Sequence, residues 1–270
     1  MFRNDANLIY SNYETTVQTN SYCFPVYISL GCSTEETPSE TGVIPDPVTP
    51  PTTIPNPEIP TGPIAKSINY LALGDSYSIG QSVCETCRFP EQLKSSLKAS
   101  YTNTAFSLKV IATTGWTTTN LISAINQQKP EPNYDLVTLL IGVNNQYQGR
   151  DFSLYEKEFP ELVTKAITLG KGDKKNVIVV SIPDYAYTPY AKNLSQNQKE
   201  KITKEIEQYN VFAENYCKAN NIVFVDITDI TRQGLSNPNL VASDGLHPSE
   251  TAYMLFVERI LPKAKVALQD

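Results

Sequence analysis

A chain of 270 residues, 40% hydrophobic and 19% charged, has material for one sizeable core. No apolar run reaches the ~20 residues of a membrane-spanning helix. A net charge of −6 argues against a nucleic-acid binder, which would carry a basic face.

Charge and proline divide the chain. Between Asn4 and Ala65 there is no Lys or Arg, and 9 of the 19 prolines lie between Pro38 and Pro63. Proline fixes φ and removes a donor, so this stretch is expected to be an extended acidic linker. Upstream, YCFPVYISLGCSTEE closes an apolar stretch with Leu30, Gly31 and Cys32. That resembles a bacterial lipoprotein signal with a lipidated cysteine. Against it stand a basic start reduced to Arg3, a polar stretch ahead of the apolar run, and Pro25 within it. The expected organisation is a signal or disordered segment (1–31), a Pro-rich linker (32–65) and a globular domain (66–270). An extracytoplasmic enzyme tethered through Cys32 follows, with a cytoplasmic protein as the alternative.

From Lys66 on, five apolar runs alternate with helical stretches. The runs are INYLAL (68–73), SLKVIAT (107–113), DLVTLLI (135–141), NVIVVSI (176–182) and NIVFVDI (221–227). They alternate little, which predicts parallel strands covered on both faces. The pieces RFPEQLKSSLKAS, TTNLISAINQQ, LYEKEFPELVTKAITLG, QNQKEKITKEIEQYNVFAENYCKAN and SETAYMLFVERILPKAKVAL carry helical spacing and capping residues. The expected fold is α/β: a three-layer α/β/α sandwich with a flavodoxin-like, five-stranded parallel sheet.

The Cys84-x-x-Cys87 pair admits a redox motif, half a zinc site, a small-loop disulfide or two inert thiols. With no second such pair, and the single histidine better used elsewhere, the last two are favoured. Cys217 falls in a helical stretch and is expected in the core.

Ligands of such sheets bind beyond the strand carboxyl ends. There the chain places Gly74-Asp75-Ser76, then Gly115 and Trp116, then GVNNQYQGR, then PDYAYTPYA, and finally SDGLHPSE. A serine nucleophile needs a base, and the base needs an orienting acid. His247 is the sole histidine, and Asp244 stands three residues before it. A developing oxyanion needs donors, for which the Ser76 N–H, the Gly115 N–H and the Asn144 amide suffice. No metal or organic cofactor is required.

GDSYS, the TTG glycine, GVNN and DGLH together resemble the SGNH (GDSL-type) hydrolase superfamily, over about Asn69 to Leu261. The resemblance implies a serine ester hydrolase with Ser76 as nucleophile, Asp244 and His247 as its partners, and Gly115 and Asn144 as oxyanion donors. The third block commonly reads Gly-x-Asn-Asp in that family, whereas here Asn145 takes the last place. An α/β-hydrolase elbow, G-x-S-x-G, is absent because Ser78 stands two residues after Ser76. Trp116 and Tyr185 are candidates to line the substrate site, with Tyr77, Tyr147, Tyr187 and Tyr190 also expected near the rim. The expected substrate is a small-molecule, carbohydrate or lipid ester, with acetyl esters of carbohydrates in view. Lysophospholipase, acyltransferase and a non-catalytic surface carbohydrate-binding protein remain alternatives.

Overall fold

The computed structural model describes residues 65–269. The expected leader, the expected linker up to residue 64 and the expected lipidation at Cys32 lie outside the described residues.

Among the described residues, five strands form one all-parallel sheet: β1 (Ser67–Gly74), β2 (Ala105–Ala112), β3 (Leu136–Leu140), β4 (Val177–Val180) and β5 (Val223–Val225). Their order, β2-β1-β3-β4-β5, is the flavodoxin-like one. Eight α-helices intervene in the same stretch: α1 (Ser76–Ile79), α2 (Phe89–Ser100), α3 (Thr118–Gln128), α4 (Val143–Tyr147), α5 (Phe152–Leu169), α6 (Gln196–Asn220), α7 (Thr228–Thr231) and α8 (Glu250–Ala267). Helices α2 and α8 pack together on one face, while α3, α5 and α6 pack in succession on the other. Because both faces are covered, every residue of β3 and β4 is buried, as their Val- and Leu-rich sequences require.

Helix boundaries follow local chemistry. Thr117 and Ser195 open α3 and α6 with capping boxes that also use the side chains of Asn120 and Gln198. Asp151 and Ser249 cap α5 and α8. The fully buried Leu71, Leu73, Phe89, Leu93, Phe159 and Phe256 belong to one continuous core, joined by Cys217.

The edges depart from the expected double burial. β2 pairs only with β1 and keeps Ala105 and Ser107 exposed, and β5 shrinks to three residues. An edge strand lacks a neighbour on one side, so its apolar content overstates its cover. Cys84 and Cys87 form a disulfide, one of the two favoured readings.

Candidate active site

Strand register sets the stage. Gly74 pairs with Ala112 of β2 and Leu140 of β3, so all three strands end on one line. A Cβ on Gly74 would sit 2.2 Å from Ser78 Oγ and 2.4 Å from the Leu140 carbonyl oxygen. Glycine is therefore what allows β1 to end flush against β3 while the chain turns into α1. Asp75 caps α1 by accepting the Tyr77 N–H at 3.0 Å, leaving Ser76 as its first residue.

A cleft of about 190 Å³ opens above this line. Ser76, Gly115, Asn144, His247 and Tyr185 line it, together with Tyr147. Four of the sequence blocks thus meet around one space. His247 Nδ1 lies 2.6 Å from Asp244 Oδ2. Because a carboxylate only accepts, that bond puts the proton on Nδ1 and leaves Nε2 as an acceptor. Asp244 Oδ1 meanwhile accepts the backbone N–H groups of Leu246 (2.9 Å) and His247 (3.0 Å), fixing the turn that carries the pair. Burial raises the Asp244 carboxyl, but hydrogen bonds from Ser82, the His247 ring and those two N–H groups outweigh it. The acid is held well below the usual carboxylate range and stays ionised. The Ser76 hydroxyl makes no hydrogen bond with His247 in this arrangement.

Three donors face the same space. Gly115 has φ +82°, a conformation glycine adopts freely, and its carbonyl is pinned by Gln148 Nε2 at 2.9 Å. The N–H groups of Ser76 and Gly115 meet no acceptor among the described residues. Asn144 Nδ2 donates one hydrogen to Asp75 Oδ2 at 3.3 Å, which leaves its second hydrogen for a ligand.

Sequence reasoning missed two residues here. Asp75 is fully buried, and burial pushes its carboxyl up to about 7 despite the bonds from Tyr77 and Asn144. Its place directly before the serine was the available signal. Asn145, also fully buried, accepts the Thr118 N–H at 2.9 Å and donates to Thr118 Oγ1 at 2.7 Å. Thr118 Oγ1 in turn donates to Glu158, which also accepts from Thr119 Oγ1 at 2.7 Å. The relay ties the loop carrying Gly115 to the helix carrying Asn144. An ionised aspartate at this position could not donate to Thr118, which gives the unusual Gly-Val-Asn-Asn block a physical reason.

The aromatics divide. Tyr77 packs beside His247 with the rings tilted by 53° and their centroids 5.2 Å apart. Tyr147 and Tyr190 share a hydroxyl–hydroxyl bond of 2.7 Å, and Tyr185 donates to Gln146 Oε1 at 2.8 Å. Trp116 is half-buried against the core and is not among the residues lining the cleft. Its neighbour Gly115 holds the rim while the indole packs away, because the turn carries successive residues in different directions. Tyr187 lines a separate groove beside α6. No cluster of His, Cys, Asp and Glu suited to a metal ion occurs among the described residues.

The sequence profile of the GDSL-like Lipase/Acylhydrolase family matches residues 72–255, a range that takes in Ser76, Gly115, Asn144, Asp244 and His247. The chain belongs to this family. It is a GDSL-type esterase, built on the fold expected for one. No curated protein matches it by sequence. Among solved structures it resembles a lipolytic G-D-S-L family protein from Veillonella parvula (18% identity, TM-score 0.55, 72% of this chain and 96% of that one). It also resembles an acetylxylan esterase from Geobacillus stearothermophilus (20%, 0.53, 73% and 94%). A third is a psychrotrophic esterase from Pseudoalteromonas sp. (17%, 0.52, 75% and 99%). At these identities the likeness speaks for a shared fold.

Proposed function

We propose that this GDSL-type hydrolase cleaves short-chain carboxylic esters through an acyl-enzyme on Ser76, with a polar, carbohydrate-like alcohol as leaving group. The observation that carries the chemistry is the gathering of Ser76, Gly115, Asn144 and the Asp244-bound His247 around one cleft. Ser76 Oγ attacks the ester carbonyl carbon while His247 Nε2 takes its proton, and Asp244 stabilises the imidazolium. The oxyanion is met by the Ser76 and Gly115 N–H groups and the free hydrogen of the Asn144 amide. His247 returns the proton to the departing alcohol. A water molecule then repeats the sequence on the acyl-enzyme and frees the acid.

The dimensions support the substrate class. A cleft of about 190 Å³ is smaller than the several hundred Å³ typical of sites for drug-sized ligands, and it suits an acetyl or similarly short acyl group. Across Tyr147, which borders both, runs a groove of about 470 Å³ with Gln146, Arg150, Gln198, Lys201 and Gln208 along it. Amides and charges beside the exposed Tyr147 ring suit a polyhydroxylated alcohol better than an acyl chain. The Cys84–Cys87 disulfide favours work outside the reducing cytoplasm, and a lipid tether at Cys32 belongs to the same proposal.

The test is turnover of p-nitrophenyl acetate, butyrate and palmitate, acetylated xylooligosaccharide and lysophospholipid by the full chain, beside Ser76→Ala and His247→Ala. Expected are activity on the acetyl substrates and background rates for both variants. Activity confined to long acyl chains would overturn the substrate reading. Variants as active as wild type would overturn the chemistry, and transfer of the acyl group to added alcohols in preference to water would make the enzyme an acyltransferase.

A further inference from the structure

The acid of the Ser76–His247–Asp244 set has a partner that its own turn does not supply. Asp244 Oδ2, the oxygen that accepts the His247 Nδ1 proton, also accepts the Ser82 hydroxyl at 2.6 Å. Ser82 stands 162 positions earlier in the chain, in the loop between α1 and α2. Its backbone is left-handed, with φ +66°, a region that disfavours any residue with a Cβ. The side chain is exposed, so packing offers no reason to prefer serine over glycine there. What serine adds at this position is the hydroxyl, and the hydroxyl goes to Asp244. Backbone outliers that persist without a packing reason gather where function holds them.

The loop is built to hold that contact. Gly80 and Gln81 N–H groups both return to the Ser76 carbonyl, at 3.0 Å each, so the loop leaves directly from the nucleophile's own helix. Gln81 Oε1 accepts Thr114 Oγ1 at 2.6 Å, joining it to the oxyanion loop. Beyond Ser82, the Cys84–Cys87 disulfide closes the next turn, and Gln92 Nε2 donates to the carbonyls of Cys87 and Glu250. One end of the segment is therefore fixed to the turn that carries Ser76, and the other to the start of α8, three residues after His247.

We propose that Ser82 is a positioning residue of the reaction: its hydroxyl holds the Asp244 carboxylate in the orientation that receives the His247 Nδ1 proton. The proposal rests on the reading of Asp244 as the partner of His247. Without the hydroxyl, Oδ2 keeps only the imidazole, and the carboxylate is held from outside the pair on the Oδ1 side alone, by the Leu246 and His247 N–H groups. The imidazole then spends less time aligned with Ser76. Substrate contacts are untouched, so the loss belongs in kcat.

Ser82→Gly is the sharpest test because it removes the hydroxyl and relieves the backbone together. The variant should melt at or above the wild-type temperature while kcat for p-nitrophenyl acetate falls about tenfold, the low end for a hydrogen bond to a charged group. KM should stay within about twofold, as expected when substrate binding is spared. Ser82→Ala should lose kcat equally. In an Asp244→Asn background Ser82→Gly should change little, because its effect passes through that carboxylate. A fall in kcat of under about threefold, a loss appearing in KM alone, or the same loss with and without Asp244 would overturn the proposal. If Asp244→Asn by itself leaves kcat intact, the parent reading of the triad fails and Ser82 falls with it.

Discussion

Replacing Asn145 by aspartate changes one NH₂ for an oxygen at a fully buried site, and the surroundings fix the outcome. Asn145 donates to Thr118 Oγ1 at 2.7 Å, and the single proton of that hydroxyl is committed to Glu158. An ionised carboxylate in place of the amide has nothing to donate, so its oxygen would face a lone pair of Thr118 with Glu158 just beyond. Glu158 has no ion-pair partner among the described residues, where it is served by the hydroxyls of Thr118 and Thr119 alone. The lost bond leaves a buried polar group unpaired, which costs about 1–3 kcal/mol. Uncompensated buried charge brings the total to about 3–5 kcal/mol. For a domain of this size each kcal/mol moves Tm by about 2–4 °C, so Asn145→Asp should melt about 6–20 °C below wild type at pH 8. Protonation offers an escape. Burial and the nearby Glu158 raise the folded-state pKa of the introduced carboxyl above its unfolded value. The variant is therefore best matched to wild type below the unfolded pKa and loses stability as pH rises through the folded one. Melting curves by circular dichroism from about pH 5 to pH 8 should show the gap widening. Adding Glu158→Gln should close much of it at pH 8. An Asn145→Asp variant that melts with wild type at pH 8 would refute the relay and the account of the Gly-Val-Asn-Asn block built on it.

Other outcomes follow from the same geometry. Asn144→Ala should lower kcat about 10²–10³-fold with little change in KM, as loss of one oxyanion donor does; a fall below tenfold in steady-state kinetics would remove Asn144 from that role. Asp75 titrates near 7 when folded and near 3.8 when unfolded, so the folded state binds the extra proton between those values. Wild-type stability in urea should therefore fall as pH rises from about 4 to about 7 and level off above, a slope that Asp75→Asn should flatten. The same variant turns an NH₂ toward Asn144, so kcat should drop even where the fold is intact. Gly74→Ala should destabilise by about 3 kcal/mol, because its methyl would meet the Leu140 carbonyl oxygen of the neighbouring strand. Differential scanning calorimetry of the soluble variant measures that directly, and an unchanged Tm would contradict the close approach.

By itself the sequence determined the succession of strands and helices and the placing of chemistry at strand ends. Burial on two faces leaves unbroken Val- and Leu-rich runs such as LVTLL, and capping needs particular residues at particular offsets, as at Thr117 and Ser195. Asp244 and His247 were legible together because their bond closes within one turn of chain, three residues apart. Contacts made across the fold were not legible. Asn144 reaches Asp75 over 69 positions, Thr118 reaches Glu158 over 40, and Ser82 reaches Asp244 over 162. Composition and periodicity report how deeply a residue is buried, not which distant group it meets. Trp116 makes the same point from the other side, since its neighbour Gly115 faces the cleft while its own indole packs against the core. Dihedrals in loops are set by what the loop packs against, which only the tertiary structure decides.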